Sequence, residues 1–315
     1  MRFGRTAVAC LIVTALATAC GSGAPPGTTA SGNPGAPAVI SADGVHLRIR
    51  AVNGPAPQVV IMVHGGPGLS AQSLAGLDGL ARPGRRVVGY DQRGAGGSSR
   101  PADGNYGLDG QLADLDAVRT WAGVARVALV GASWGGLVAA AYASRYPERV
   151  SALVLIDAAP LDFAEFLAGQ QRFSERVAQL QRAGLVPDPV PTGRNDSCLP
   201  SLTALLPVYL ADPKRTPPPG VFGNSCTAST AQATYAALRE RGGLGDLAAG
   251  LARFPGPALV VAGQRDPFGL GWQRRNLQIL AASRPRSLIV ADAGHFAFAE
   301  QPQAVLPVIE RVLPG

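Results

Sequence analysis

An α/β fold built on a mostly parallel sheet is the class the sequence predicts, on three observations. Short continuous apolar runs rich in Val, Leu and Ile alternate with stretches of helical periodicity. The runs carry no polar alternation, as strands covered by helices on both faces require. One run, Val127-Ala128-Leu129-Val130, feeds the pentapeptide Gly131-Ala132-Ser133-Trp134-Gly135, after which Leu137 to Tyr146 reads as a helix.

Taken in order, the chain opens on a targeting segment, expected over residues 1–20. Arg2 and Arg5 form a short basic region, and Ala7 to Ala17 is apolar but too short to span a bilayer. Ala17-Thr18-Ala19-Cys20 resembles a bacterial lipobox, with Ala17 where Leu is usual. That resemblance implies lipidation of Cys20 and an exported chain anchored at the bacterial cell membrane; plain secretion is the alternative. Residues 21–38 are expected to be a flexible linker, because Gly, Pro, Ser and Thr dominate there and cannot bury a core.

Strands are expected over 45–52, 59–63, 86–91, 126–131, 152–157, 258–263 and 287–291. Helices are expected over 70–80, 108–121, 137–146, 269–282 and 302–312. The alternation breaks between 161 and 250, where helix-like segments (163–183, 230–241) flank a proline-rich loop over 187–219. A long insertion after a strand, at the edge where ligands bind, reads as a cap. The division expected is therefore a core of 39–160 and 251–315 and a cap of 161–250.

The 315 residues include 47% hydrophobic and 16% charged side chains, enough to bury a large core. Net charge is +7, but Lys214 is the only lysine, the arginines are scattered, and no basic run is interleaved with aromatics. No nucleic-acid partner is expected. Of the four cysteines, Cys198 and Cys226 lie outside the leader, and export to an oxidising compartment would pair them as a disulfide.

Gly131 to Gly135 has the G-x-S-x-G form of a nucleophile elbow, the strand-to-helix turn that exposes a serine in α/β-hydrolases. Its tightness demands small residues at 131, 135 and 136. The motif makes Ser133 the candidate nucleophile and asks for an acid and then a histidine downstream. Of the three histidines, His46 lies within a strand, His64 precedes the serine, and His295 follows the last strand. His295 is the expected base. Asp266, just past the strand ending at Gly263, is the expected acid; Asp157 is its rival, and Asp292 lies too close to His295. The expected oxyanion donors are the N–H groups of Trp134 and Gly66, since Pro67 has none.

His64-Gly65-Gly66-Pro67-Gly68, Asp91-Gln92-Arg93-Gly94 through Ser98, the elbow, and the helix running into Tyr146-Pro147-Glu148-Arg149-Val150 together resemble the proline iminopeptidase family of α/β-hydrolases. The resemblance covers roughly 40–160 and 250–315. It implies a mostly parallel eight-stranded sheet flanked by helices with a mainly helical cap. It further implies a serine aminopeptidase, with no cofactor or metal, releasing N-terminal residues from short peptides. Family members hold the substrate α-amine with cap carboxylates, often beside a Trp. This cap has no Trp, and Glu165, Glu175 and Glu240 are the candidates.

Two other classes stay open: a carboxylesterase or lactonase with the same triad, and a non-catalytic surface lipoprotein. An epoxide hydrolase or dehalogenase would need aspartate at 133. Three histidines without ligand spacing do not suggest a metal hydrolase, and Gly94 to Ser98 lacks the glycine spacing of a dinucleotide site. The partner expected is a small peptide or ester; the sequence does not settle the oligomeric state.

Overall fold

The computed structural model describes residues 38–314. The expected signal segment, the lipobox with Cys20 and almost all of the linker lie outside them. The elements follow as β1 (Ala38–Ile40), β2 (His46–Val52), β3 (Gln58–Val63), β4 (Arg85–Tyr90), α1 (Leu108–Trp121), β5 (Val127–Ala132), α2 (Trp134–Arg145) and β6 (Val150–Ile156). Then come α3 (Phe163–Arg182), α4 (Leu199–Tyr209), α5 (Ala228–Arg241), α6 (Gly245–Leu251), β7 (Ala258–Gly263), α7 (Gly271–Ile279), β8 (Arg286–Val290), α8 (Ala297–Glu300) and α9 (Pro302–Glu310).

The eight strands form one sheet in the order β1-β2-β4-β3-β5-β6-β7-β8. β1 and β2 run antiparallel to their neighbours, and every pair from β4 to β8 is parallel. Strand alternation divides the core into two layers. Along β5, Val127 and Leu129 pack with Leu112, Leu137 and Tyr142 on one face. Ala128 and Val130 pack with Leu74, Leu77 and Ile309 on the other. Both faces of β5, β6 and β7 are thus buried, which is why these strands read as unbroken apolar runs.

Three elements differ from the sequence expectation. The helix expected over 70–80 is a 3-10 helix, Ala71–Leu80. Its buried Ala71, Leu74, Leu77 and Leu80 recur every third residue, matching three residues per turn, and Gly76 and Gly79 weaken the α alternative. The proline-rich loop contains α4, with Pro200 in its first turn, where a missing N–H costs nothing. The short antiparallel β1 was not expected, being only three residues long.

Between β6 and β7 the chain leaves the sheet and builds α3 to α6 before returning. Cys198 and Cys226 are joined by a disulfide, with Cα atoms 5.1 Å apart. The Cys198 N–H also donates to the Cys226 carbonyl at 3.0 Å, so the start of α4 is stapled to the segment leading into α5.

Candidate active site

The carboxyl ends of the parallel strands converge on one crevice, the place where open α/β sheets bind ligands. β3 ends in His64-Gly65-Gly66, β5 in Ser133, β6 in Asp157 and β7 in the Asp266 loop, while the loop after β8 carries His295.

Ser133 has φ 53° and ψ −122°, a conformation L-residues rarely adopt. It is held by its N–H donating to Ile156 O (3.0 Å) and its carbonyl accepting from Ala159 N (3.1 Å). The turn has no room for side chains at its flanks. A Cβ on Gly135 would lie 2.1 Å from Val63 O, and one on Gly131 would lie 2.5 Å from Gly135 O. Ser133 is half-buried and lines a cavity of about 880 Å³.

His295 lines the same cavity. Its Nδ1 lies 3.1 Å and 3.2 Å from the two carboxylate oxygens of Asp266, both residues being buried. Asp266 Oδ1 also accepts the Phe268 N–H at 2.9 Å. The histidine loop is clamped from the cap side: the His295 N–H donates to Tyr209 O at 2.8 Å. Buried Glu300 accepts the N–H groups of Gly294 (2.8 Å) and Ala211 (3.0 Å).

Asp157 is not beside the imidazole. Its two oxygens accept the N–H groups of Gly263 (2.7 Å) and Ala297 (3.2 Å), tying the end of β7 to the start of α8. Burial, then the nearby Asp266 charge, pushes its pKa well above the usual carboxylate range, against the two N–H bonds. Asp292 is exposed and pairs with Arg265. His46 is an exposed residue at the start of β2.

The N–H of Trp134, at the first position of α2, has no backbone acceptor among the described residues, and neither does that of Gly66. Both residues line the cavity, with Gly65 between Gly66 and the serine: a Cβ on Gly65 would lie 3.2 Å from Ser133 Cβ. Two residues not singled out in sequence organise this corner. Gln92 receives the Trp134 Nε1–H on its Oε1 (3.0 Å), donates through Nε2 to His64 O (2.6 Å), and donates its backbone N–H to His64 Nε2 (3.0 Å). His64 is fully buried, and desolvation lowers its pKa, so it is a neutral structural link. The sequence signal for Gln92 was its place at the end of β4, within the Asp91-Gln92-Arg93-Gly94 segment. From the cap, the Tyr235 hydroxyl donates to Gly66 O at 3.0 Å, and its ring meets that of Trp134 edge-on at 6.2 Å. No local pattern marks Tyr235.

The three cap glutamates are not brought to the cavity. Glu165 pairs with Arg172 at 2.5 Å, Glu175 accepts from Gln171 at 2.9 Å, and Glu240 is exposed near the end of α5. The cap walls the cavity with other residues, among them Phe166, Gln170, Leu205 and Tyr235.

The family model for the alpha/beta hydrolase fold matches residues 58–302, and the chain belongs to that family. Within it, the chain is similar to proline iminopeptidases. It is 37% identical over 115 residues to the one from Lactiplantibacillus plantarum, covering 36% of this chain and 39% of that protein. It is 42% identical over 96 residues to the one from Heyndrickxia coagulans, covering 30% and 33%. The matched stretch thus spans well under half the length of these curated relatives. Among solved structures, an esterase from Exiguobacterium antarcticum superposes with TM-score 0.65 at 20% identity, covering 86% of this chain and 97% of that one. The proline iminopeptidase from Mycobacterium smegmatis gives 0.61 at 23%, covering 88% and 96%. These two likenesses establish the shared fold.

Proposed function

We propose that this chain is a serine hydrolase that opens an ester or amide bond through an acyl-enzyme on Ser133. The observation that carries the reading is the His295–Asp266 pair in the wall of the cavity that Ser133 lines. With Nδ1–H donating to Asp266, the imidazole presents its other nitrogen as a base. His295 takes the Ser133 proton as Oγ attacks the substrate carbonyl carbon, and the carbonyl oxygen becomes an oxyanion. The N–H groups of Trp134 and Gly66 receive that charge, with the amino end of α2 adding to the field. Collapse breaks the scissile bond, and His295 returns the proton to the leaving group. Water, deprotonated by the same imidazole, then releases the acid and restores Ser133.

The relatives named proline iminopeptidase support an aminopeptidase action on short peptides. The cap helices present no carboxylate among the cavity-lining residues, which favours the second reading, an esterase or lactonase. Export, with a lipid on Cys20, belongs to the same proposal and rests on the leader alone.

The test is labelling with a fluorophosphonate, which phosphonylates an activated serine with loss of fluoride. Labelling of the folded wild type that vanishes in Ser133→Ala is expected. A folded wild type that takes no label would make the chain a binding module instead.

A further inference from the structure

Three cap helices wall the cavity, and each turns a neutral face to it. On α3 the cavity-lining residues are Phe166, Gln170, Ser174, Val177, Ala178 and Gln181. At about 100° per residue they form one stripe. Glu165, Arg172, Glu175 and Arg176 all fall outside it. α4 contributes Ser201, Leu202, Leu205 and Tyr209, and α5 contributes Ala231 and Tyr235. Glu240 of α5 lies off that face and exposed. The single carboxylate among the lining residues is Asp188, in the exposed loop after α3. Residues 1–37 contain no Asp or Glu, so none of their side chains could add one.

The wall of the cavity beside His295 is aromatic, with rings from both the core and the cap. Phe166 and Trp272 stack at 5.9 Å, Trp272 and Phe268 at 4.4 Å, and the Phe268 ring lies 4.7 Å from the imidazole. With interplanar angles of 8° and 17°, these rings turn their faces to one another. A cation is attracted to an aromatic face, and here faces are occupied by neighbouring rings. An ammonium under the cap would lose its water against these closed ring faces, with Asp188 of the exposed loop as the lone lining carboxylate to receive it, which is unfavourable for a buried charge.

We infer that the part of the substrate held under the cap is uncharged and apolar, large enough to include an aromatic ring. The substrate class is then an ester or amide of a bulky neutral acyl group, not a peptide presenting a free N-terminal ammonium. The volume suits this: about 880 Å³ lies toward the upper end of small-molecule sites. The inference rests on the serine-hydrolase reading and selects between its two substrate options.

The experiment compares p-nitrophenyl 3-phenylpropanoate with phenylalanine p-nitrophenyl ester, which differ only by the α-ammonium, at about pH 6, where the amine is protonated. The expected kcat/KM is about 100-fold or more higher for the uncharged ester. Gln170→Glu, which puts a carboxylate on the cavity face of α3, is expected to move the ratio toward the ammonium ester by about tenfold or more. Equal turnover, or preference for the ammonium ester, would overturn the inference. So would an unmoved ratio in Gln170→Glu, or a selectivity for the ammonium ester abolished by Asp188→Asn. Fluorophosphonate labelling is run in parallel. A chain that labels on Ser133 yet hydrolyses neither ester refutes the substrate class and leaves the serine mechanism standing, whereas a folded chain that does not label refutes the mechanism itself.

Discussion

Asp266→Asn separates the orienting acid from its rival by a change of one atom. In the wild type, Asp266 Oδ1 accepts the Phe268 N–H at 2.9 Å, while His295 Nδ1 sits 3.1 Å from Oδ2. An asparagine has only one acceptor oxygen. Keeping the Phe268 bond places that oxygen at Oδ1, and the amide NH₂ then occupies the Oδ2 position facing Nδ1. Nδ1 also lies 3.2 Å from Oδ1, but that oxygen already receives the Phe268 N–H, so the facing NH₂ favours an accepting Nδ1 and moves the imidazole proton to Nε2, the nitrogen proposed to take the serine proton. The alternative flip points an N–H at the Phe268 N–H in a buried site, at about 1–3 kcal/mol. The wrong tautomer in a serine–histidine–aspartate enzyme lowers kcat by about 10⁴, or roughly 5 kcal/mol of transition-state stabilisation. The assay is kcat on an activated ester, with circular dichroism to confirm an unchanged fold. A fall smaller than about tenfold would refute Asp266 as the partner of His295.

The matched change at the rival site should read differently. Asp157→Asn keeps one of the two backbone N–H bonds and is expected to cost about 1–3 kcal/mol of stability, with far less loss of kcat than Asp266→Asn. Asp157 also sets a pH dependence. Its folded pKa is raised well above its unfolded value of about 3.8, so the folded chain holds the proton more tightly. That contribution is fully present below the unfolded pKa and is lost as pH rises through the folded one; urea midpoints from about pH 4 upward should show a decline that flattens in Asp157→Asn. Tyr235→Phe removes the hydroxyl on Gly66 O and is expected to lower kcat by about tenfold, from roughly 1–2 kcal/mol of lost positioning, while the apolar ring stays in place; an unchanged kcat would exclude this support of the Gly66 peptide. Replacing Cys198 and Cys226 by serine opens a loop of sequence separation 28 and should cost roughly 3–4 kcal/mol, read as a lower urea midpoint and a looser cap by proteolysis.

Much of the core was legible because its cause is local. The buried runs of β5, β6 and β7 announce themselves by composition, and chain order after the elbow points to Asp266 and His295 at strand ends. The tight turn at Ser133 is legible because Gly131 and Gly135 leave no space for side chains. Asp157 could not be separated from Asp266 in sequence, since both follow buried strands. Only the packing of β6 against β7 and α8 directs its oxygens to the N–H groups of Gly263 and Ala297. Gln92 was visible as part of a loop-shaping segment, but its bonds to His64 and Trp134 join three strand ends that are far apart in the chain.

The sequence by itself determined the sheet, the elbow and the chain order of the candidate residues, because strand burial, turn sterics and chain direction are written in neighbouring residues. The tertiary structure decided what faces the serine. Glu165, Glu175 and Glu240 look equally available along the chain, yet α3 and α5 dock with those residues turned away and with Gln170, Ser174 and Tyr235 turned inward. A helix's periodicity specifies which residues share a face; which face meets the cavity depends on contacts with segments up to a hundred residues or more distant, such as Tyr235 on Gly66 and Trp272 on Glu165.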